Sequence, residues 1–199
     1  MNILETIEEK IGGKWVGITF HNNSIRNNNT PEKPMCLCEA IGKSYNNKIV
    51  LTKNFLDCPG GCRSLGWLKN SDYSMINKLA EKSGMSFDTA SKLITSSPSV
   101  KKDIFAVTIG KIENPDMVLS YAQPDVAMKL IRLWQKVSGI ELTIDVSSIM
   151  AVCSNVVAKV YNTGKICISF GCPDSREYGG IEANKLVIGV HNSLIEYLL

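Results

Sequence analysis

The segment from Pro124 to Ser138 is the most strongly determined element of the sequence. Its apolar residues recur at helical spacing, at Val126, Leu130, Leu133, Trp134 and Val137. Pro124 suits the first position of a helix, and Gly139 suits the position just after its last turn. The sequence therefore predicts a helix over residues 124–138.

Strand-like segments, rich in β-branched and apolar residues, occur on both sides of this helix. They are KWVGITF (14–20), KIVLT (48–52), IFAVTIGKI (104–112), MVLSYA (117–122), IELTIDV (140–146), KICISFGC (165–172) and KLVIGV (185–190). Only the four residues ENPD separate the third segment from the fourth, so we expect these two to pair as a hairpin.

Further helices are expected between these strands. They cover residues 2–11, 35–45, two stretches within 74–96, a buried helix at 147–164 and the C-terminal segment. We expect turns at PGG (59–61) and PDSREYGG (173–180), and a mobile polar loop at residues 21–34. Helices and strands alternate without a fixed repeat. This indicates an α+β fold, with a mixed α/β sheet and flanking helices, in a single compact domain over residues 1–199.

Composition excludes several classes of function. The net charge of +3 is small and the basic residues are dispersed, which argues against binding to nucleic acid. No apolar run is long enough to span a bilayer. The first residues, MNILETIEEKIGGKW, carry three glutamates and do not resemble a secretory signal. We therefore expect a cytoplasmic protein without a membrane partner.

The seven cysteines are the main chemical feature of the chain. In a reducing compartment they are not expected to form disulfides. Cys58 and Cys172 share a local pattern, since each is followed by proline and lies beside glycine. Proline fixes the backbone after the thiol, and glycines such as Gly60 and Gly61 let the chain turn close to an inorganic group. Bacterial ferredoxin motifs also end in Cys-Pro.

Four thiols from separate elements could converge on one centre, namely Cys38, Cys58, Cys153 and Cys172. Cys62 or Cys36 could substitute for one of them. Four thiolates suit either tetrahedral zinc or an iron–sulfur cluster. The chain has no Cys-x-x-Cys knuckle of the kind that structural zinc uses, and scattered single ligands favour a cluster. A [4Fe–4S] cluster is our first expectation, and structural zinc without redox activity is the alternative.

Two other interpretations of the cysteines remain open. Buried cysteine often behaves as a small hydrophobic residue, and Cys167, which lies between two isoleucines, fits that role. Alternatively, Cys58 and Cys62 could serve a cofactor-free thiol redox enzyme, provided that a helix N-terminus after the turn lowers a thiol pKa. The sequence does not decide whether the protein is an enzyme.

Other polar residues give weaker signals. Arg176 follows Cys172 closely and could hold an anion or shape the exposed side of a cluster, or it could pair with Glu177 or Glu182. Nothing places a nucleophile beside His21 or His191, and no nucleotide-binding motif occurs. The expected partners are a redox protein or a small anionic ligand, and a homodimer is left open.

Two long segments resemble an uncharacterised prokaryotic family, domain of unknown function 169. They are CEAIGKSYNNKIVLTKNFLDCPGGCRSLGW, and PDMVLSYAQPDVAMKLIRLWQ followed by Cys153 and ISFGCPDSREY. The resemblance implies a soluble, single-domain, intracellular protein of the kind found in anaerobic archaea and bacteria, with no established activity. It also implies that Cys38, Cys58, Cys153 and Cys172 occupy the family's cysteine positions and Arg176 its arginine position. Cys36 and Cys62 are extra to that pattern.

Overall fold

The computed structural model describes residues 2–25, 29–68 and 73–198, which form an antiparallel sheet with helices on both faces. The six strands are β1 (Val16–His21), β2 (Ile49–Thr52), β3 (Ala106–Gly110), β4 (Met117–Ala122), β5 (Ile166–Ser169) and β6 (Leu186–His191). They are arranged in the order β2-β3-β1-β4-β6-β5, and every neighbouring pair is antiparallel. The expected α+β class is confirmed.

The helices lie between these strands in the sequence. They are α1 (Ile3–Ile11), α2 (Leu37–Lys43), α3 (Pro59–Ser64), α4 (Tyr73–Ser83), α5 (Phe87–Ser96), α6 (Pro124–Ser138), α7 (Lys159–Thr163), α8 (Pro173–Tyr178) and α9 (Asn192–Leu198). A 3₁₀ turn covers Lys53–Phe55, and a π-helix covers Cys153–Ala158 directly before α7. The ends of α6 are as predicted, with Pro124 in the first turn and Gly139 in the left-handed conformation at a φ of 70°.

Alternation along the strands gives the sheet two separately packed faces. On β4, for example, Met117, Leu119 and Tyr121 belong to one core cluster, and Val118 and Ala122 belong to the other. The first cluster includes residues of α2, α4, α5 and the π-helix, and we call this side the cysteine face. The second includes residues of α1, α6 and α9, and we call this side the hydrocarbon face.

The predicted hairpin between the third and fourth strand-like segments is wrong. Those segments form β3 and β4, but β1 lies between them and pairs with both. Strand β1 also packs closely against the residues that connect β3 to β4. A side chain at Gly17 would lie 2.8 Å from Pro115, and the Phe20 amide donates to the Asp116 carboxylate at 2.7 Å.

Residues 140–146, IELTIDV, were expected to form a strand and do not. Ile140, Ile144 and Val146 are exposed, so the alternating pattern has no buried face to pack. The helix expected over residues 147–164 starts later than predicted. The chain turns through residues 147–152, with Met150 at a positive φ of 51°, before the π-helix begins at Cys153. Its predicted end at Gly164 is correct.

The polar loop predicted over residues 21–34 overlaps β1, which ends at His21. Residues 26–28 of that loop lie outside the described part of the chain.

Candidate functional site

The two Cys-Pro sequences begin short helices, where turns had been predicted. Cys58 is the N-cap of α3 and Cys172 is the N-cap of α8, and the following proline occupies the first turn in both. The Gly61 amide donates to the Cys58 sulfur at 3.3 Å. The Cys172 amide donates to the Ser175 hydroxyl at 2.7 Å. Proline at the first helical position is the signal that identifies both helices in the sequence.

The other two predicted ligands lie deeper in the cysteine face. Cys38 is in the first turn of α2, Cys153 is the first residue of the π-helix, and both are buried. The wide turn of the π-helix shows in its hydrogen bonds, because the Val157 amide donates to the Val152 carbonyl five residues earlier at 2.9 Å. Such π segments are frequent at functional sites.

All four predicted ligands line one cavity of about 50 Å³, which we call the thiol cavity. They reach it from four elements that are far apart in the sequence. Gly60 lies between two of the sulfurs. A methyl group built on its Cα would be 3.8 Å from the Cys153 sulfur and 3.9 Å from the Cys58 sulfur. The absence of a side chain at residue 60 therefore leaves the space beside both sulfurs open.

Helix α4 supplies the outer wall of the thiol cavity through Leu79, Lys82 and Ser83. The Lys82 ammonium pairs with the Asp174 carboxylate of α8 at 2.8 Å and lies 5.2 Å from the centre of the Tyr178 ring. The sequence analysis did not identify these residues. Lys82 and Asp174 are 92 positions apart, and no local sequence pattern relates residues at that separation.

Burial and hydrogen bonding raise the pKa of two of the cavity thiols, Cys58 and Cys153, and so favour their protonated forms in the absence of a ligand. Burial raises the pKa of Cys153 well above its ordinary value, and a nearby Cys58 charge adds to this. A hydrogen bond to Cys36 raises the pKa of Cys58, and burial raises it further. A bound metal would overcome these effects, since a coordinating thiol is deprotonated outright.

Cys36 links two of the predicted ligands. The Cys58 thiol donates to Cys36, and the Cys36 thiol donates to Cys38, which raises the pKa of Cys36 to about 12. Cys36 does not line the thiol cavity. It lines a neighbouring groove of about 340 Å³, which we call the outer groove, together with Cys58, Glu39, Asp57 and Asp174.

The structure places the remaining cysteines outside the thiol cavity. The Cys62 thiol donates to the Leu56 carbonyl at 3.4 Å, and burial raises its pKa to about 11. Cys167 is buried in β5, as expected for a core residue, and burial also raises its pKa to about 11. The lowered thiol pKa that a Cys58–Cys62 enzyme would need is not found at either residue.

Arg176 and Gly61 do not line the thiol cavity. The Arg176 guanidinium donates to the backbone carbonyls of Phe170 at 2.6 Å and Glu182 at 2.8 Å, and so it holds the segment after α8 against the end of β5. In the described part of the chain it forms no ion pair with Glu177 or Glu182. The histidines also bond elsewhere: His21 contacts Thr108, and His191 contacts Ser193.

A buried positive charge accompanies the thiols. Arg63 of α3 is 2% exposed, and it donates to the carbonyls of Ser97 at 2.9 Å and Thr95 at 3.4 Å. Its Nε has no hydrogen-bond partner, and no ion pair involves it in the residues that the structure describes. Burial lowers the pKa of Arg63, and attraction to Cys153 opposes this effect. Buried charges are usually paired, so this guanidinium favours negative charge nearby.

The donor groups near the thiol cavity do not suit a single ion. Across residues 2–25, 29–68 and 73–198, no three side chains of His, Cys, Asp or Glu are placed so that they could hold one metal ion. Tetrahedral zinc requires such convergence on one point. A cluster spreads its ligands over several irons, so its four thiolates stand further apart around one volume.

Every helix in the described ranges is too short or too polar to cross a membrane. The family model described as "Uncharacterised ArCR", domain of unknown function 169, matches residues 10–199. An uncharacterised protein of Methanocaldococcus jannaschii is 26% identical over 164 residues, which cover 79% of this chain and 70% of that protein. No solved structure matches the chain. The family match includes all the cysteines of the thiol cavity, and neither description names an activity.

Proposed function

This chain belongs to the uncharacterised family of domain of unknown function 169, and we propose that its thiol cavity binds an iron–sulfur cluster through Cys38, Cys58, Cys153 and Cys172. One observation carries the proposal: four cysteines from four separate elements line the same cavity. A role as buried hydrophobic residues does not account for Cys58 and Cys172, because these two are only partly buried.

The surroundings of the cavity suit an anionic cluster. The buried Arg63 guanidinium supplies positive charge on the same face. The Gly61 amide already donates to the Cys58 sulfur, as backbone amides do around cluster sulfurs. Gly60 leaves room beside the sulfurs of Cys58 and Cys153. A [4Fe–4S] cluster fits four cysteine ligands.

A cluster in this place would supply one-electron chemistry or a binding site for a small ligand at iron. The chain would hold it next to the Lys82–Asp174 pair, which lies between the thiol cavity and the outer groove. A partner could approach from that side. Electron transfer, sensing of the cluster state and binding of a small anion are the roles that this position allows.

The test is to purify the protein without oxygen, or to reconstitute it with iron and sulfide, and to measure metal, sulfide and the visible spectrum. We expect iron and acid-labile sulfide in about equal amounts and a broad absorption typical of sulfide-to-iron charge transfer. Zinc without sulfide would replace the proposal with a structural zinc site. A colourless protein without metal would reject both.

Two variants serve as a matched pair. Cys172→Ala removes a thiol that lines the cavity, and Cys62→Ala removes a half-buried thiol that bonds to the Leu56 carbonyl outside it. We expect Cys172→Ala to lose most of the iron and sulfide and Cys62→Ala to keep them. Equal retention in both variants would show that Cys172 is not a ligand.

A further inference from the structure

We propose that Cys36 and Cys58 form a disulfide at the wall of the outer groove when the protein carries no cluster. The bond itself depends only on the geometry of the two thiols. Its consequence for the cluster, described below, rests on the proposed function.

The two segments that carry these thiols are held side by side by the backbone. The Met35 amide donates to the Phe55 carbonyl at 3.1 Å, and the Asp57 amide donates to the Met35 carbonyl at 3.1 Å. These two bonds form a parallel bridge between Met35 and Leu56. Cys36 and Cys58 follow this bridge by one and two residues, so the backbone brings their side chains together.

The two thiols are also close enough to interact, since a side-chain hydrogen bond with Cys36 is the main cause that raises the pKa of Cys58. The backbone is extended at Cys58, with a φ of −120°, and at Cys36, with a φ of −72°. A disulfide has a sulfur–sulfur distance of about 2.05 Å and requires the two Cα atoms to lie within about 7 Å of each other.

Access for an oxidant distinguishes this pair from the other thiol contact of Cys36. Cys36 and Cys58 are both partly exposed and both line the outer groove. Cys38 is buried and does not line that groove. Cys62 does not line it either, because its thiol points to the Leu56 carbonyl. A small oxidant in solution therefore reaches Cys36 and Cys58 together.

The reaction is a thiol–disulfide exchange with a low-molecular-weight disulfide such as oxidised glutathione. One protein thiol, after it has lost its proton, attacks the small disulfide as a thiolate and releases one small thiol. The second protein thiol then displaces the other, which leaves a Cys36–Cys58 bond and two reduced small thiols. The protein loses two hydrogens, and the small disulfide gains them. Intracellular disulfides of this kind are usually transient and sense redox state.

The consequence for the proposed cluster follows from the identity of Cys58. A sulfur held in a disulfide cannot act as a thiolate ligand, so oxidation would block reassembly until a reductant opened the bond. The Cys36–Cys58 disulfide would then prevent cluster assembly at the empty site, and reduction would reverse this effect.

The experiment uses the full chain, freed of metal by a chelator, treated with oxidised glutathione and digested without reduction. Peptide mapping by mass spectrometry is expected to find a peptide pair linked through Cys36 and Cys58, which a thiol reductant separates. Cys36→Ser should abolish this pair, whereas Cys62→Ser should leave it unchanged. Digests that contain instead a Cys36–Cys38 or Cys58–Cys62 bond, or only glutathione adducts, would overturn the inference.

This experiment separates the two proposals. A Cys36–Cys58 bond in a protein that never takes up iron would leave the disulfide standing and reject the cluster. A protein that binds a cluster but forms no Cys36–Cys58 bond would support the cluster and reject the disulfide. If both occur, iron uptake by the oxidised protein should be several-fold slower than by the reduced protein, and Cys36→Ser should remove that difference.

Discussion

The two faces of the sheet are built differently. The core cluster of the hydrocarbon face contains no cysteine. All seven cysteines lie on the other side. Cys38, Cys153 and Cys167 belong to the core cluster of the cysteine face, Cys36 and Cys62 pack against that cluster, and Cys58 and Cys172 line the thiol cavity beside it. Apolar packing alone does not require this separation, because aliphatic residues make up most of the core cluster on each face.

The segments that carry the cysteines are also less regular than the helices that cover the hydrocarbon face. The hydrocarbon face is covered by regular amphipathic helices, α1 with nine residues and α6 with 15. The cysteine face also has two regular helices, α4 with 11 residues and α5 with 10. Six of its cysteines, however, lie within or at the start of short helices of six or seven residues or a π-helix, and only Cys167 lies on a strand. Irregular local structure is common where side chains from distant segments meet to form a site.

The largest expected effect concerns the thiols themselves. Cys58→Ala and Cys153→Ala should each lose most of the bound iron and sulfide, because both sulfurs face the space beside Gly60. Cys167→Ala should keep its iron, because that thiol is a core residue of β5. The measurement is iron and sulfide per folded chain, with circular dichroism as the check on folding. Loss of iron in Cys167→Ala to the same extent would show that the whole face, and not the cavity, determines binding.

The next effect tests the hydrocarbon face. Leu130 of α6 is fully buried there, so Leu130→Ala should lower the free energy of unfolding by about 2–5 kcal/mol. Urea denaturation measures this change. The iron content and visible spectrum of the folded variant should stay unchanged. A variant that remains folded but loses its cluster would show that the two faces are not independent.

A pair of glycines on α3 tests the space inside the cavity. In Gly60→Ala the added methyl group would lie beside the sulfurs of Cys58 and Cys153 and 3.2 Å from the flexible Met150 side chain. In Gly61→Ala it would meet Leu56 at 3.3 Å, away from the sulfurs. We expect several-fold lower cluster content in Gly60→Ala alone, with stabilities of the two variants within about 1–3 kcal/mol of the native protein. Equal cluster content would show that this space is not used.

The smallest expected effect is a pH dependence of the cluster-free protein. The pKa of Cys62 and of Cys167 is raised from 9.0 to about 11 in the folded state. Between these values the unfolded chain loses protons that the folded chain keeps, so stability falls as the pH rises through this window. Thermal unfolding at about pH 8 and about pH 10 should therefore show a lower melting temperature at the higher pH, by roughly 2–4 °C for each kcal/mol lost.

The control for this effect is the double variant Cys62→Ala/Cys167→Ala, which lacks both thiols and should show a smaller decrease over the same pH range. A decrease of the same size would assign the effect to other groups.

Local signals were sufficient for much of this fold. The ends of α1 and α6 and the positions of all six strands follow from periodicity, caps and glycine stops in the sequence. The order of the strands does not, because pairing is non-local, and β1 separates two segments that are neighbours in the chain. The strand expected at residues 140–146 failed because alternation indicates a strand only where one face becomes buried.

The site was predictable to a similar degree. The Cys-Pro pattern and the family motifs selected the four cysteines that line the thiol cavity. The same pattern, taken as N-cap and first helical position, would also have predicted α3 and α8. Proximity to Cys172 in the sequence favours Arg176 as a site residue, but its guanidinium binds backbone carbonyls. Lys82, Asp174 and the contact between Cys36 and Cys58 depend on tertiary packing and have no local signal.

X-ray absorption at the iron edge of the reconstituted protein tests the central claim most directly. A cluster ligated by four cysteines predicts iron surrounded by sulfur alone, with a second shell of neighbouring irons, and a loss of that second shell in Cys153→Ala. Iron bound by oxygen or nitrogen, or isolated iron with no iron neighbour in the native protein, would contradict the account.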